Sequence, residues 1–184
     1  MRFFQQFFAS IAACVSSVEQ DPSPLIGAIA ALHAVRDRGG KTIIVGNGGS
    51  AAIASHVAVD LTKAAGLRAI NFNEADLLTC FANDYGYEHW VEKALEFYAD
   101  PQDLVVLISS SGKSPNIVNA ALKSRQMALP LITFSGFSAD NPLRALGQVN
   151  FWADSASYNV VEMTHQIWLL ALTDKLAASR AVAA

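Results

Sequence analysis

The sequence predicts a three-layer α/β fold, in which a doubly wound parallel sheet carries helices on both faces and follows an N-terminal helical hairpin. Two observations lead to this class. Short continuous apolar runs recur along the chain, and stretches with helical periodicity separate them. Strands that are covered on both faces of a parallel sheet have this unbroken apolar pattern. We expect a single domain over residues 1–184, with helices in 1–40 and the α/β core in 41–184.

Composition bounds the class of protein. The chain has 184 residues, 52% of them hydrophobic and 16% charged, which fits a globular unit with a sizeable buried core. Its formal charge of −3 and the lack of a basic run argue against a nucleic-acid ligand. No apolar run approaches the roughly eighteen residues of a membrane span. Cys14 and Cys80 have apolar neighbours, so we expect two buried thiols, as suits a reducing cytoplasm.

The elements follow in order from the first residues. Arg2 precedes an apolar stretch and so imitates a signal peptide, but Gln5 and Gln6 interrupt that stretch and its apolar residues recur with helical period. We therefore expect an amphipathic helix there. Further helices are expected at 24–38, 50–64, 77–82, 87–98, 115–127 and 160–176. Strands are expected at 42–46, 68–72, 104–108, 130–136 and 149–153.

Two strands end in turns that are rich in small residues. The segment TIIVGNGGSAA (42–52) contains what we call the glycine turn, residues 46–49. The segment LVVLISSSGKSPN (104–116) contains the serine turn, residues 109–114. Ligands of an open parallel sheet bind outside the carboxyl ends of its strands. Both turns are therefore expected to face one crevice.

The serine turn has the features of a phosphate site. Ser114 is suited to be the N-cap of a helix whose first residue is Pro115, and Gly112 lets backbone N–H groups curl around a guest. A helix N-terminus carries unpaired N–H donors and about half a positive charge, which favours an anion. We expect a phosphomonoester held by these N–H groups and by the serine hydroxyls.

Two nucleotide motifs compete with this interpretation. The letters GKS resemble the end of a P-loop, but Leu107 stands where that motif needs its first glycine. The letters GNGGSA fit the dinucleotide pattern at Gly46, Gly48 and Ala51, and Glu74 stands where a ribose-binding acid is found. The dinucleotide alternative stays open at this point.

Three segments together resemble a known family. The segments IIVGNGGSAAIASHVAVDL (43–61), LLTCFANDYGYE (77–88) and LISSSGKSPN (107–116) are similar to the SIS (sugar isomerase) domain, and within it to the phosphoheptose isomerase group. That group interconverts sedoheptulose 7-phosphate and D-glycero-D-manno-heptose 7-phosphate. The resemblance implies a flavodoxin-like fold, a cytoplasmic homotetramer with active sites between subunits, and heptose supply for lipopolysaccharide or capsule.

The resemblance also implies roles for individual residues. The phosphate would bind at Ser109, Ser110, Ser111 and Ser114. Asn47, Gly48 and Ser50 would hold the sugar chain, and Asp84 would face a sugar hydroxyl.

Aldose–ketose exchange needs a base and an acid beside an enediol. The resembling family uses a glutamate in an HxxxE motif, which here reads HVAVD, so Asp60 replaces the glutamate four residues after His56. The two side chains share a helix face. A carboxylate that is one methylene shorter can be misplaced for catalysis. An ordinary surface His–Asp pair is the alternative.

The last helix departs further from the family. The family reads a glutamine, a glutamate and, seven residues after the glutamate, a histidine. When Glu162 is aligned with that glutamate, Val161 stands at the glutamine position and Leu169 at the histidine position. His165 lies three residues after Glu162, so these two residues are expected to take over proton transfer with Asp60. The alternatives are a capping box of Glu162 with Asn159 and a structural role for His165. We expect no required cofactor; if zinc binds, the candidate ligands are His56 and Asp60, with a third ligand that the sequence does not identify.

Two functions from different classes follow. The first is a phosphosugar isomerase of the phosphoheptose type, which the serine turn and the carboxylate of Asp60 favour. The second is a non-catalytic SIS module that senses a sugar phosphate or binds a protein, as the relatives that associate with the replication initiator DnaA do. The missing glutamine and histidine favour this second function. A sugar phosphate and further copies of the chain are the expected partners, with neither nucleic acid nor membrane.

Overall fold

A computed structural model describes residues 1–183 of the chain, with side chains for residues 1–180. Helices and strands alternate after an initial helical hairpin. The helices are α1 Arg2–Gln20, α2 Ser23–Asp37, α3 Gly49–Lys63, α4 Ala75–Tyr85, α5 Trp90–Tyr98, α6 Pro115–Gln126 and α7 Tyr158–Ala183. The strands are β1 Thr42–Gly46, β2 Ala69–Ile70, β3 Leu104–Ser109, β4 Leu131–Gly136 and β5 Val149–Ala153.

The five strands form one parallel sheet in the order β2-β1-β3-β4-β5. Every residue of β1, β3 and β4 is buried, which explains why these strands read as continuous apolar runs. The predicted fold class, a doubly wound α/β sheet behind a helical hairpin, is confirmed.

Helices cover both faces of the sheet, and the helices that follow the neighbouring strands β1 and β3 lie on opposite faces. From β1 the chain turns into α3, which packs on the same face as α1, α2 and α7. From β3 it turns into α6, which packs with α5 on the other face. The strand order therefore reverses between β1 and β3, where Gly46 pairs with Ile108. A crevice opens at such a switch point, between the N-termini of α3 and α6.

Two local predictions are wrong. Cys80 is exposed, because α4 lies at the edge of the molecule and buries none of its residues completely. The nearby negative charge of Asp84 raises the pKa of the Cys80 thiol. The strand predicted at 68–72 is limited to Ala69–Ile70. It ends early because the next residues turn, with the Asn73 N–H donating to the Asn71 side chain 2.9 Å away.

The part of the chain that the structure describes has no helix combining the length and hydropathy of a membrane span.

Candidate functional site

A cavity of about 100 Å³ opens at the switch point. It brings the glycine turn and the serine turn together, as the parallel sheet predicts, and α7 closes its third side. The lining residues are Asn47, Ser50, Ile108, Ser109, Ser110, Ser111, Ser114, Tyr158 and Glu162. Most of the predicted phosphate and sugar residues therefore surround one space.

The serine turn is folded so that hydroxyl groups remain available to a guest. The Ser109 hydroxyl donates to Ser114 Oγ at 3.1 Å, and Ser111 Oγ accepts the Lys113 N–H at 3.2 Å. Ser110 Oγ is buried without a partner among the described residues. A buried hydroxyl without a partner is costly. An anion in the cavity would supply the acceptor that Ser110 lacks.

Helix α6 begins at this turn as predicted, with Ser114 at the N-cap and Pro115 in the first position. The Ser114 side chain makes no capping hydrogen bond, and its oxygen accepts from the Ser109 hydroxyl. Pro115 has no N–H, and the Ile117 and Val118 N–H groups donate to the Ser114 carbonyl oxygen, so Asn116 provides the free N–H of the first turn. This N–H, the positive end of the helix dipole and the serine hydroxyls form a site suited to a phosphate.

The glycine turn is held by an amide pair that sequence reasoning missed. Gly48 has φ +54°, a left-handed conformation that favours glycine. Asn47 and Asn116 exchange two side-chain hydrogen bonds, each 2.9 Å long. The Tyr87 hydroxyl also donates to Asn47 Oδ1, at 3.3 Å. These contacts join the glycine turn to the first turn of α6 and to the α4–α5 connection.

The Glu162 carboxylate of α7 lies beside the N-terminus of α3. A Cβ atom on Gly49 would collide with the Glu162 carboxylate, so a glycine at this position lets the carboxylate approach the helix closely. Glu162 does not form the predicted alternative, a capping box with Asn159, because α7 begins at Tyr158 and already contains Asn159. The chain's own carboxylate therefore lies beside the N-terminus of α3, where the helix dipole favours a negative charge.

This arrangement argues against the dinucleotide alternative. A pyrophosphate at the glycine turn would meet the negative charge of Glu162 at the helix N-terminus where it has to bind. Glu74, the candidate ribose ligand, is exposed and lines a separate groove between α3 and α4.

His56 and Asp60 lie outside the cavity of their own chain. His56 Nε2 is 3.2 Å from Asp60 Oδ2, and both side chains are partly exposed. They lie about 10 Å and about 16 Å beyond Gly49 along α3, at 1.5 Å per residue. Gln166 of α7 contacts His56 Nδ1 at 3.3 Å. No sequence signal pointed to Gln166, because it lies 110 residues from His56.

His56 and Asp60, the candidate zinc ligands, do not make up a zinc site in the structure. Both ring nitrogens of His56 are engaged, one by Asp60 and the other by Gln166. Among residues 1–180, no third His, Cys, Asp or Glu joins them in a group that could hold a metal ion. A structural zinc site takes four protein ligands and a catalytic one takes three. We derive no chemical step through a metal.

His165 lies in the core and not in the crevice. Its side chain is fully buried against Phe134 and Trp168, and its Nε2 lies 3.0 Å from the Ser135 carbonyl oxygen. Burial lowers the pKa of His165 to about 4, so the ring is neutral at neutral pH. The predicted catalytic pair is thus separated: Glu162 faces the cavity and His165 faces strand β4.

Other predicted positions also lie away from the cavity. Val161 and Leu169, which the alignment on Glu162 assigned to the missing glutamine and histidine, are buried in the core. Asp84 is exposed on α4, where it accepts hydrogen bonds from Cys80 and Asn83. Tyr158, which was not predicted, does line the cavity one helical turn before Glu162.

The burial of His165 predicts a pH-dependent loss of stability. The ring stays neutral in the folded chain down to about pH 4, whereas an unfolded chain binds a proton below about pH 6.5. The unfolded state therefore takes up more protons as the pH falls from 6.5 toward 4. We expect His165 to remove about 3 kcal/mol of unfolding free energy over that range. Urea unfolding at pH 7 and pH 4.5 measures the loss.

A His165→Leu variant should lose this part of the pH dependence and keep only the part due to other groups. Thr164→Val is the matched control, since Thr164 is equally buried on α7 but does not titrate. It should lose stability by the same increment as the wild type. An unchanged pH dependence in His165→Leu would contradict the assignment.

Comparison with known proteins decides the family. A profile of the SIS domain matches residues 6–136. A phosphoheptose isomerase of Bordetella avium is 34% identical over 143 residues, which are 73% of this chain and 72% of the relative. The chain belongs to the SIS domain family, in its phosphoheptose isomerase group. A phosphoheptose isomerase of Helicobacter pylori is 33% identical over 138 residues and covers 72% of both chains.

Solved structures of other proteins share this fold. The phosphoheptose isomerase GmhA from Neisseria gonorrhoeae matches with a TM-score of 0.86 and 24% identity, over 95% of this chain and 98% of that chain. The Vibrio vulnificus NanR protein, solved in complex with ManNAc-6P, matches with a TM-score of 0.69 and 18% identity over 97% of this chain and 62% of that chain. At these identities, the likeness establishes the fold.

Proposed function

We propose that this SIS protein is an aldose–ketose isomerase that interconverts sedoheptulose 7-phosphate and D-glycero-D-manno-heptose 7-phosphate. The observation that carries the proposal is the shared cavity of the serine turn and the Glu162 carboxylate. Membership in the phosphoheptose isomerase group supports the choice of sugar. The phosphate end binds at the serine turn, and the sugar chain extends past Asn47 and Ser50 toward Glu162.

The reaction needs one proton to move between neighbouring carbons. Glu162, as a carboxylate, takes the proton from C1 of the ketose, and the electron pair forms the C1–C2 double bond of an enediol. An acid group protonates the carbonyl oxygen on C2, which completes the enediol. The same group, now a base, then takes the hydroxyl proton of C1 while Glu162 returns the carbon proton to C2, which gives the aldose. Glu162 fits the role of base because α7 holds it in the cavity.

We assign the second proton-transfer group to Asp60 of another copy of the chain. Within one chain Asp60 is too far along α3 to reach the cavity. The cavity of about 100 Å³ is also smaller than the roughly 300 Å³ of a typical small-molecule site, so one chain encloses only part of the sugar. A second copy that covers this side would complete the site.

The surface around Asp60 supports such an interface. Val59 of α3 is 61% exposed, and Met163 and Ile167 of α7 are 44% and 41% exposed. Helix α1 carries further exposed apolar side chains, at Phe3, Phe4 and Phe8. Apolar side chains that cluster on an outer face mark interaction surfaces. We propose the homotetramer with sites between subunits that the family resemblance implies.

Three further assignments remain part of the proposal. The enzyme works in the cytoplasm, requires no cofactor, and supplies heptose for a surface polysaccharide. The alternative function is a sensor of sugar phosphates, which the burial of His165 favours because it removes one expected catalytic group from the crevice.

Incubation of the purified protein with sedoheptulose 7-phosphate tests the proposal. The wild type should form the aldose, and Asp60→Ala should lower kcat by about 100-fold or more. Asp174→Ala, a change of an exposed acid on α7, is the control and should keep wild-type kcat. Saturable binding without turnover would assign the sensor function, and absence of binding would overturn both functions.

Mixing two inactive variants tests the position of the site. Asp60→Ala and Glu162→Gln subunits are unfolded together, refolded and assayed. If one site combines Glu162 of one copy with Asp60 of another, the mixture regains activity that neither variant has alone. Activity that stays absent in a properly assembled mixture would place both groups in one chain.

A further inference from the structure

We propose that Asn116 is a positioning residue that holds the Asn47 amide in the orientation needed to bind the sugar chain. This inference rests on the proposed function, in which Asn47 contacts the substrate. Asn116 is the second residue of α6 and is 1% exposed, whereas Asn47 is half-buried and lines the cavity. Asn116 itself therefore acts through Asn47.

The geometry of the Asn47–Asn116 pair lets the buried Asn116 side chain hold the Asn47 side chain in place. Each amide donates one N–H to the other's oxygen, and both bonds are 2.9 Å long. Two bonds between planar groups restrain rotation about the last side-chain bonds of Asn47, which a single bond would not do. Asn116 cannot follow a movement of Asn47, because it is packed at the start of α6 beside β3.

The pair leaves one donor of Asn47 available. An asparagine amide has two N–H groups and an oxygen. Among the described residues, Asn116 takes one N–H of Asn47, while the oxygen accepts from both Asn116 and Tyr87. The second N–H has no partner in the described part of the chain, and it belongs to a residue that lines the cavity. It is suited to donate to a sugar hydroxyl.

Preorganisation is the physical benefit. A free asparagine on a glycine turn would lose side-chain freedom each time it bound the sugar, which weakens binding. The Asn116 bonds remove that freedom before the substrate arrives. Since Asn47 binds substrate and transition state alike, loss of its orientation should raise KM and leave kcat nearly unchanged.

A double-mutant cycle tests the inference. Asn47→Ala and Asn116→Ala should each raise KM for sedoheptulose 7-phosphate about 10-fold, and the double variant should be no worse than Asn47→Ala alone. If Asn116 only stabilised α6, its effect would persist in the Asn47→Ala background, and the inference would be overturned. Inorganic phosphate binding, measured by calorimetry, should change by less than about two-fold in Asn116→Ala, because the serine turn stays in place.

Asn119→Ala is the matched control. Asn119 is also an asparagine of α6 that makes one side-chain hydrogen bond, to the Glu88 carbonyl oxygen at 2.9 Å, but it lies outside the cavity. This variant should keep wild-type KM. If the wild type proves inactive, the wild type, the two single variants of Asn47 and Asn116 and their double variant are compared by calorimetric affinity for sedoheptulose 7-phosphate. This measurement does not need turnover, so it tests the role of Asn116 even if the isomerase proposal fails. Additive effects of the two substitutions on that affinity would overturn the role of Asn116.

Discussion

Glu162→Gln is expected to lower kcat for sedoheptulose 7-phosphate by about 1,000-fold. Glutamine keeps the size of the side chain against Gly49 but cannot accept a proton from carbon. The affinity for inorganic phosphate should stay the same or rise, because the cavity shared with the serine turn loses one negative charge. Stopped assays give kcat, and calorimetry gives the phosphate Kd.

Proton exchange gives a direct readout of this step. In D2O the wild type should exchange the C1 proton of the ketose with solvent, as seen by NMR, and Glu162→Gln should not. Asp174→Asn removes an exposed carboxylate from the same helix and serves as the control with wild-type exchange. Normal exchange in Glu162→Gln would show that another group is the base.

Local sequence signals were enough to predict the sheet and the phosphate turn. Strands β1, β3 and β4 were recognisable as short apolar runs. A strand that is buried on both faces has no solvent-facing side, so its sequence does not alternate between polar and apolar residues. Ser114 and Pro115 marked the start of α6 to the residue, since N-cap and first-turn preferences depend only on neighbouring residues. Both signals are properties of a few consecutive residues.

The orientation of α7 could not be predicted in the same way. Glu162 and His165 are three residues apart, so the sequence fixes the angle between them around the helix. It does not fix which side faces strand β4, because that depends on how α7 packs against the sheet and α3. In the structure Glu162 contacts Gly49 at the start of α3 and His165 contacts Ser135 in β4.

The contacts that shape the site come from residues that are far apart along the chain. Asn47 and Asn116 are separated by 69 residues, and His56 and Gln166 by 110 residues. No periodicity or spacing rule links such positions. Only the strand order, which places β1 beside β3, brings Asn47 to Asn116.

Gly112→Ala is expected to weaken phosphate binding by about 100-fold, because each lost hydrogen bond to a charged group costs about 1.5–3 kcal/mol. Gly112 has φ +65°, and a Cβ atom there would collide with the Asn141 side chain. Asn141 is 1% exposed and donates to the Ser138 carbonyl oxygen at 2.8 Å, so it cannot move aside. The serine turn has to shift instead, and its hydroxyls leave their positions around the anion.

Gly39→Ala is the control that distinguishes the effect of the collision at Gly112 from the effect of backbone strain. Gly39 has φ +74°, close to that of Gly112, but apart from its chain neighbours no atom lies within 4 Å of the position its Cβ would take. It lies between α2 and β1, before the amino end of that strand and away from the serine turn. Both variants should lose about 1 kcal/mol of unfolding free energy from the left-handed conformation. Only Gly112→Ala should also lose phosphate affinity in calorimetry and turnover of the sugar phosphate. If the two variants bound phosphate equally well, displacing the serine turn would have no effect on phosphate binding. The serine turn would then not be the site that holds the anion.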